Sequence, residues 1–421
     1  MKADSRGSRL ILLRGRQVLP IARPAIADGA IAISGATIQA VGRWRTLRRA
    51  FPRASTRDLG AVVILPGLIN AHCHLEYTGL AGQFAPAQSF TTWLQQIVAA
   101  KATATPASLK AAWRRGADQL IRTGTTTVAD ILSQITLPLP PTPLRVYAFL
   151  EMTGIRSPRS PAQLVATTAK KIERLHRRRQ LAGFSPHAPY STPVELLQRT
   201  GRLARRRRWR VTTHVAESAE EFEMFTAGRG PLHDWLGKWR GNADGGGGSP
   251  VEHLNRTGLL GANLLVAHAN CLTRQDLLLL RRARVSVVHC PRSHEFFQHP
   301  AFPFSRLAAA GINLCLGTDS LATIKSSGQH LPELDLLAEM RAFAEKHPRV
   351  SAATLLRWVT VNAARALGLA GQIGVLAPGA FADLIALPCP ETCTDAAEVV
   401  LQHRGPVYAS LIHGQWAVAP A

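Results

Sequence analysis

The stretch "LPGLINAHCHLEYTGL", Leu65 to Leu80, decides how the rest of the chain is read. An apolar run reaches Pro66 and Gly67, resumes at Leu68 and Ile69, and then presents His72 and His74 with one residue between them. Residues two apart on a strand point to the same side. Both imidazoles therefore converge on one small volume at the end of a buried strand. Such a pair is either a hydrogen-bonded core pair or part of a metal site, and partners elsewhere in the chain decide between the two.

Short, β-rich apolar segments recur at "LINAHCH", "TTTVADIL", "RVYAFLEM", "LAGFSPH", "RVTTHVAE", "NLLVAHAN", "VSVVHCP" and "INLCLGTD". Between them lie stretches with helical periodicity, such as Pro193 to Arg208 and Thr273 to Arg284. Eight such units predict an α/β fold, a (β/α)8 TIM barrel over residues 66–373. The ends break this rhythm: "LILLRGRQVLP", "GAIAISGATIQAVG", "VVILPG", "GVLAPGAFADLIAL" and "VYASLIHGQWAV" read as short strands and turns. They predict a small β-sandwich domain built from both chain ends, residues 1–65 and 374–421. The tract "GNADGGGGSP", residues 241–250, reads as a flexible loop, a tolerated insertion rather than a lid.

In a barrel of this kind the C-terminal strand ends face one mouth. Strand one brings His72 and His74, strand five ends in "THVAE" with His214 and Glu217, strand six in "AHAN" with His268, and strand eight in "GTDS" with Asp319. One histidine at a strand end is usually structural. Several at converging strand ends, with a carboxylate, suit one borderline divalent metal ion, Zn²⁺ first and Fe second, with a position left for water.

The motifs "PGLINAHCHLE", "GTTTVAD", "SPHAPYSTP", "THVAE", "VAHANCL", "GTDS" and "PGAFADLIAL" span residue 65 to about 387. In them the chain resembles the amidohydrolase superfamily. The resemblance is to the aminohydrolase branch, which holds the adenosine, S-adenosylhomocysteine, guanine and cytosine deaminases and the s-triazine hydrolases. The resemblance implies His72, His74, His214 and Asp319 as metal ligands, Glu217 and His268 as the proton-handling pair, and a homodimer. It also implies a hydrolase of non-peptide C–N bonds, releasing ammonia from an amino-substituted N-heterocycle or nucleoside. Amide or chloro-ring hydrolysis on the same scaffold is the alternative. The dinuclear branch usually needs a carboxylated lysine at the end of strand four; "LAGFSPHAPY" offers His187 there and no lysine. One metal ion is expected.

Acid–base chemistry follows from these groups. Asp319 is placed to take a proton from the attacking water, Glu217 to protonate a ring nitrogen, and His268 to hydrogen-bond the attacking oxygen. Candidate substrate contacts are His187 in "SPHAPYSTP", Trp93 in "SFTTWLQQI", and Glu76 two residues beyond the histidine pair. The alternatives are a satisfied structural histidine for His187, packing in a helix core for Trp93, and a hydrogen bond to a histidine outside the metal's direct ligands for Glu76. Arg292 and His294 in "HCPRSHEFF", with Lys325, depart from many relatives. Arg292 and His294 point toward an anionic substituent such as a carboxylate, as in a deaminase of the aminofutalosine kind, unless Arg292 is an ordinary surface residue.

Composition narrows the setting. Hydrophobic residues at 46% and charged residues at 18% of 421 belong to a folded globular protein. The net charge of +23 comes from Arg, clustered in "RLHRRRQ" and "RLARRRRWR". An Arg-rich nucleic-acid-binding protein with a non-catalytic barrel is therefore the rival from another class. Both runs close helical segments, however, where cations favour the helix C-terminus and face solvent. The N-terminus has no apolar signal-peptide core, no stretch approaches the ~18 apolar residues of a membrane span, and six scattered cysteines form no disulfide framework. The expected setting is cytoplasmic, with a small-molecule substrate and no membrane partner.

Overall fold

The structure, a computed structural model, describes residues 10–86, 89–240, 246–326 and 331–420. Part of the Gly-rich tract, residues 241–245, lies outside them. Five strands come first: β1 (Ile11–Val18), β2 (Ile26–Ser34), β3 (Thr37–Arg43), β4 (Ser55–Asp58) and β5 (Val62–Pro66). The barrel follows with β6 (Leu68–Cys73), β7 (Thr125–Leu132), β8 (Arg145–Met152) and β9 (Leu181–Pro186). It continues with β10 (Val211–Val215), β11 (Leu264–His268), β12 (Ser286–His289) and β13 (Asn313–Leu316). β14 (Leu384–Pro388), β15 (Ala409–Ile412) and β16 (Gln415–Val418) complete the chain.

Strands β6 to β13 pair in chain order, each parallel to the next. All eight are the segments expected from the sequence. A parallel sheet covered on both faces needs near-continuous apolar strands; every residue of β6, β7, β10, β11 and β12 is buried. The helices Val194–Arg207 and Arg274–Ala283 fall inside the predicted stretches. Arg205, Arg206 and Arg207 occupy the last turn of the first, and Arg174 and Arg177 the last turn of Pro161–Arg177. Both helices lead into the N-terminal ends of barrel strands, so the Arg runs lie at the face away from the mouth.

The barrel closes where β13 meets β6. Cys73 and Asp319 form a parallel bridge. The Asp319 N–H donates to the His72 carbonyl at 3.1 Å, and the His74 N–H donates to the Asp319 carbonyl at 3.2 Å. Asn70 locks the same seam from its side chain, accepting the Thr318 N–H at 3.1 Å and donating to Thr318 Oγ1 at 2.7 Å. Gly317 is required here because a Cβ on it would stand 2.7 Å from the His72 carbonyl oxygen.

The two chain ends form one eight-stranded sheet in the order β16-β15-β14-β5-β1-β2-β3, with β4 on β1. It wraps its own core of Leu13, Ile31, Ile38, Ile64 and Leu384. β14 runs antiparallel to β5, and β5 passes directly into β6 through Gly67. At Gly67 a Cβ would meet Thr126 Oγ1 at 2.1 Å, so no larger residue fits between sheet and barrel.

After the histidine pair the chain turns through the short helix Leu75–Leu80. Its start is anchored by Asp130, fully buried at the end of β7, whose oxygens accept the Leu75 N–H at 3.0 Å and the Trp113 indole N–H at 2.7 Å. Asp130→Ala leaves both donors buried without partners, at about 1–3 kcal/mol each. The expected loss is about 2–6 kcal/mol in denaturant unfolding. A loss under about 1 kcal/mol would contradict the anchoring role.

Candidate active site

Four strand ends deliver the central groups. His72 and His74 come from β6, His214 from β10, His268 from β11, and Asp319 lies three residues beyond β13. His74 Nε2 and His214 Nε2 stand 3.3 Å apart. Asp319 Oδ1 is 3.6 Å from His72 Nε2 and 3.7 Å from His74 Nε2. Donor atoms of His72, His74 and His214 all lie within 4.8 Å of one another, as do those of His72, His268 and Asp319. His268 Nε2 approaches Glu217 Oε1 at 3.6 Å.

The backbone here carries strain. Ala216, His268, Ala269 and Asp319 have φ of 52°, 72°, 53° and 53°. Non-glycine residues in this region cost of order 1 kcal/mol each and cluster at functional sites.

The donor chemistry fits a cation. His214 Nδ1 faces the His187 carbonyl at 2.8 Å, so that nitrogen carries the proton and Nε2 offers a lone pair. Burial, then the neighbouring imidazoles, holds His74 down to about 3 and His214 well below the usual histidine range. The two rings are thus neutral near pH 7. Among the described residues, both ring nitrogens of His72 and His74 Nδ1 are buried without a hydrogen-bond partner. Burial alone would raise Asp319, but the close approach of His72 and the fields of His268, His72 and His74 hold it well below the usual carboxylate range. Its Oδ2 accepts from Ser293 Oγ at 2.6 Å and Thr323 Oγ1 at 3.2 Å, which aims Oδ1 at the histidines. Converging lone pairs, an ionised carboxylate and a supporting outer layer are the requirements of a divalent site.

Glu217 sits beside this cluster, 5% exposed. Burial first, then Asp319 and Glu221, pushes it well above the usual carboxylate range. Its peptide is fixed at both ends: the N–H donates to Glu221 Oε2 at 2.8 Å and the carbonyl accepts from Asn270 Nδ2 at 2.9 Å.

A cavity of about 270 Å³ opens onto these groups, with His74, His214, Glu217, His268 and Asp319 in its wall. His187 and Trp93 line it as well. Three expected substrate contacts do not. Glu76 accepts the N–H groups of Ser133, Gln134 and Ile135, the last at 2.8 Å, and so ties down the loop after β7. The Arg292 guanidinium is taken by fully buried Glu339 at 2.6 Å and the Glu333 carbonyl at 3.1 Å. His294 bonds Asn270 Oδ1 at 3.2 Å and faces a separate cavity with His289, His299 and Lys325. The argument for an anionic substituent at Arg292 and His294 therefore falls.

The sequence reading missed Lys101, Glu151, Arg156, Tyr190 and Trp235, which all line the cavity. Glu151 was legible by position, since it closes "RVYAFLEM" at the mouth end of β8. Lys101 was not; it reaches the cavity from the last turn of the helix Phe90–Ala102.

A parallel eight-stranded barrel with imidazoles and carboxylates gathered at one mouth defines a class, the metal-binding barrel hydrolases. Residues 63–417 match the amidohydrolase family, and the chain belongs to that family. Residues 29–54 also match an imidazolonepropionase-like composite domain of bacteria. The chain is 33% identical to a 5-methylthioadenosine/S-adenosylhomocysteine deaminase of Syntrophobacter fumaroxidans, over 85% of this chain and 79% of the relative. It is 29% identical to an aminodeoxyfutalosine deaminase of Deinococcus radiodurans, over 81% of each chain. Among solved structures it resembles a zinc-bound adenosine deaminase from Xanthomonas campestris with a TM-score of 0.80 and 25% identity, covering 96% and 92% of the two chains.

Three outcomes check this geometry. Elemental analysis should find about one divalent ion per wild-type chain and a loss of that ion in His72→Ala. Chelation should lower thermal stability, by about 2.7 kcal/mol where free metal had stood a hundredfold above Kd. Arg292→Met strands Glu339, so it should cost about 3 kcal/mol or more of folding stability while leaving KM unchanged. A raised KM with intact stability would return Arg292 to the substrate.

Proposed function

We propose that the chain is a mononuclear metal-dependent aminohydrolase that removes the exocyclic amino group of an aminopurine nucleoside as ammonia. The observation that carries this reading is Glu217: a buried carboxyl whose pKa is pushed well above the usual carboxylate range, beside an ionised carboxylate and a cluster of neutral imidazoles. That pairing of an acid with a base in one small volume is what hydrolytic deamination requires. Ring-nitrogen protonation has no counterpart in amide hydrolysis, so Glu217 favours deamination over that alternative. The names of the relatives point the same way.

In this reading His72, His74, His214 and Asp319 hold one divalent ion, zinc by its preference for nitrogen and oxygen donors. Bound there, the ion supplies Lewis-acid chemistry that brings the pKa of water to about 7. Asp319 Oδ1 takes one proton from the attacking water. Glu217 gives its proton to the ring nitrogen next to the reacting carbon, which draws electron density away from that carbon. His268 is held down to about 3 by burial and the neighbouring imidazoles, against the opposing field of Asp319, and so stays neutral. Its Nε2 hydrogen-bonds the oxygen as charge builds on it. The Asp319 proton then passes to the amino group, the C–N bond breaks and ammonia leaves. The remaining hydroxyl proton returns to Glu217, leaving a ring carbonyl and a protonated ring nitrogen. The six cysteines, all free, fit a reducing cytoplasm, the setting we infer for the enzyme. We also infer that it works as a homodimer.

Glu217→Gln should keep the metal and lose about 10²–10⁴ in kcat, the usual share of general acid–base catalysis. The wild type needs this carboxyl protonated. Activity is therefore present below its raised pKa, and kcat/KM falls as pH rises through it. The variant should lack that alkaline limb. Ammonia release at near wild-type rate from the variant would remove Glu217 from the mechanism.

A further inference from the structure

Lys101 and Glu151 have no part in the deamination chemistry, yet both line the cavity that serves it. Glu151 closes β8 with its side chain 5% exposed, and Lys101 Nζ stands 3.9 Å from Glu151 Oε2. The lysine is steadied by two further contacts: it donates to Ser133 Oγ at 2.7 Å and lies over the Tyr77 ring at 5.1 Å from its centroid. Ser133 belongs to the loop whose N–H groups are gathered by Glu76. Tyr77 in turn stacks on His74, with ring centroids 5.2 Å apart. The pair is therefore built from the same elements that set the metal-binding histidines, and is held at a fixed place relative to them.

Burying a carboxylate and an ammonium in a ligand cavity is costly unless something there uses them. Burial would raise Glu151, but the fields of Lys101, His187 and His74 and the Ser133 hydrogen bond hold it at about 2, fully ionised. Its charge is balanced by Lys101, so the cavity does not call for a second cation. What remains is acceptor capacity: a carboxylate offers about four lone-pair sites. Lys101 and Ser133 account for part of that number. Vicinal hydroxyl groups present two O–H donors at the spacing of two carboxylate oxygens. His187 stands in the same wall with Nδ1 bound to Ser191 Oγ at 2.7 Å, which leaves Nε2 as the nitrogen it offers to the cavity. Leu94, Ile97, Val98 and Leu236 add apolar wall, and Arg156, its guanidinium 4.6 Å from the Trp239 ring centroid, adds a further cation.

We propose that Glu151, oriented by Lys101 and Ser133, reads the vicinal hydroxyls of the substrate's sugar. The enzyme then takes nucleosides with free 2′- and 3′-hydroxyls, rather than free bases or deoxynucleosides. Glu151 is the specificity-determining contact and Lys101 a positioning residue. The proposal rests on the deaminase reading above.

The experiment uses the metal-loaded enzyme and ammonia release from three probes: 5′-methylthioadenosine, its 2′,3′-dideoxy counterpart, and adenosine. Sites built to bond a hydroxyl reject analogues that lack it by large factors. For wild type we expect kcat/KM to fall about 10²-fold or more for the dideoxy compound relative to methylthioadenosine. Glu151→Gln should raise KM for methylthioadenosine far more than it lowers kcat, and should shrink the hydroxyl discrimination to about tenfold or less. Lys101→Arg should restore the discrimination that Lys101→Met loses, a rescue that general destabilisation would not produce. The wild-type comparison stands even where a variant fails to fold. Turnover of methylthioadenosine with equal kcat/KM for its dideoxy counterpart overturns this inference and leaves the deaminase intact. No ammonia from methylthioadenosine or adenosine overturns the deaminase reading, and this inference with it.

Discussion

The two backbone hydrogen bonds that join β6 to the residues after β13 are the constraint on which the rest of the site depends. They close the barrel, and they do so at the residues that carry donor groups: His72 accepts from Asp319, and Asp319 accepts from His74. A metal site made of long side chains would lose conformational entropy on assembly. Here two ladder contacts fix the relative heights of three donors before any side chain is considered. Asn70 and Gly317 serve that same seam, one by bonding Thr318 and the other by leaving room for the His72 backbone.

Around this seam each central group has a supporting partner. His214 is oriented by the His187 carbonyl, Asp319 by Ser293 and Thr323, and the Glu217 peptide by Glu221 and Asn270. The positive φ values at His268 and Asp319 show what this positioning costs. Strained backbone at a strand end turns a side chain inward that a regular strand would carry past the mouth. Among the described residues, buried imidazoles without hydrogen-bond partners add to that cost, and a cation held there would offset it.

Most of the fold was legible because its strands are buried on both faces, so each of the eight appears as an apolar run. The central donors were legible for a related reason: they stand at the same relative place in their strands, and a rule about strand ends finds them. Glu151 obeys that rule too and was passed over because its segment lacks a histidine. The substrate wall was harder. Arg292 and His294 sit after β12, yet the first turns outward to buried Glu339 and the second to Asn270. Which way a side chain leaves a short helix depends on charges contributed from distant parts of the chain, and no local pattern reports it. Lys101 escaped for the opposite reason, because it enters the cavity from a helix end that nothing nearby marks.

The junction at Gly67 has a consequence for how the protein is made. The strand bearing His72 and His74 is continuous with β5, and β5 takes as its partner β14, more than three hundred residues further on. The barrel itself closes only through Asp319. During synthesis the first donors to emerge from the ribosome must therefore wait for nearly the last. Until Leu384 and its neighbours are free to pair, the nascent chain exposes apolar strand edges and an open metal-seeking pair of histidines. Such long-range pairing folds slowly and is prone to misassociation. A chain stalled late in translation would hold almost the whole barrel sequence and still lack a finished site.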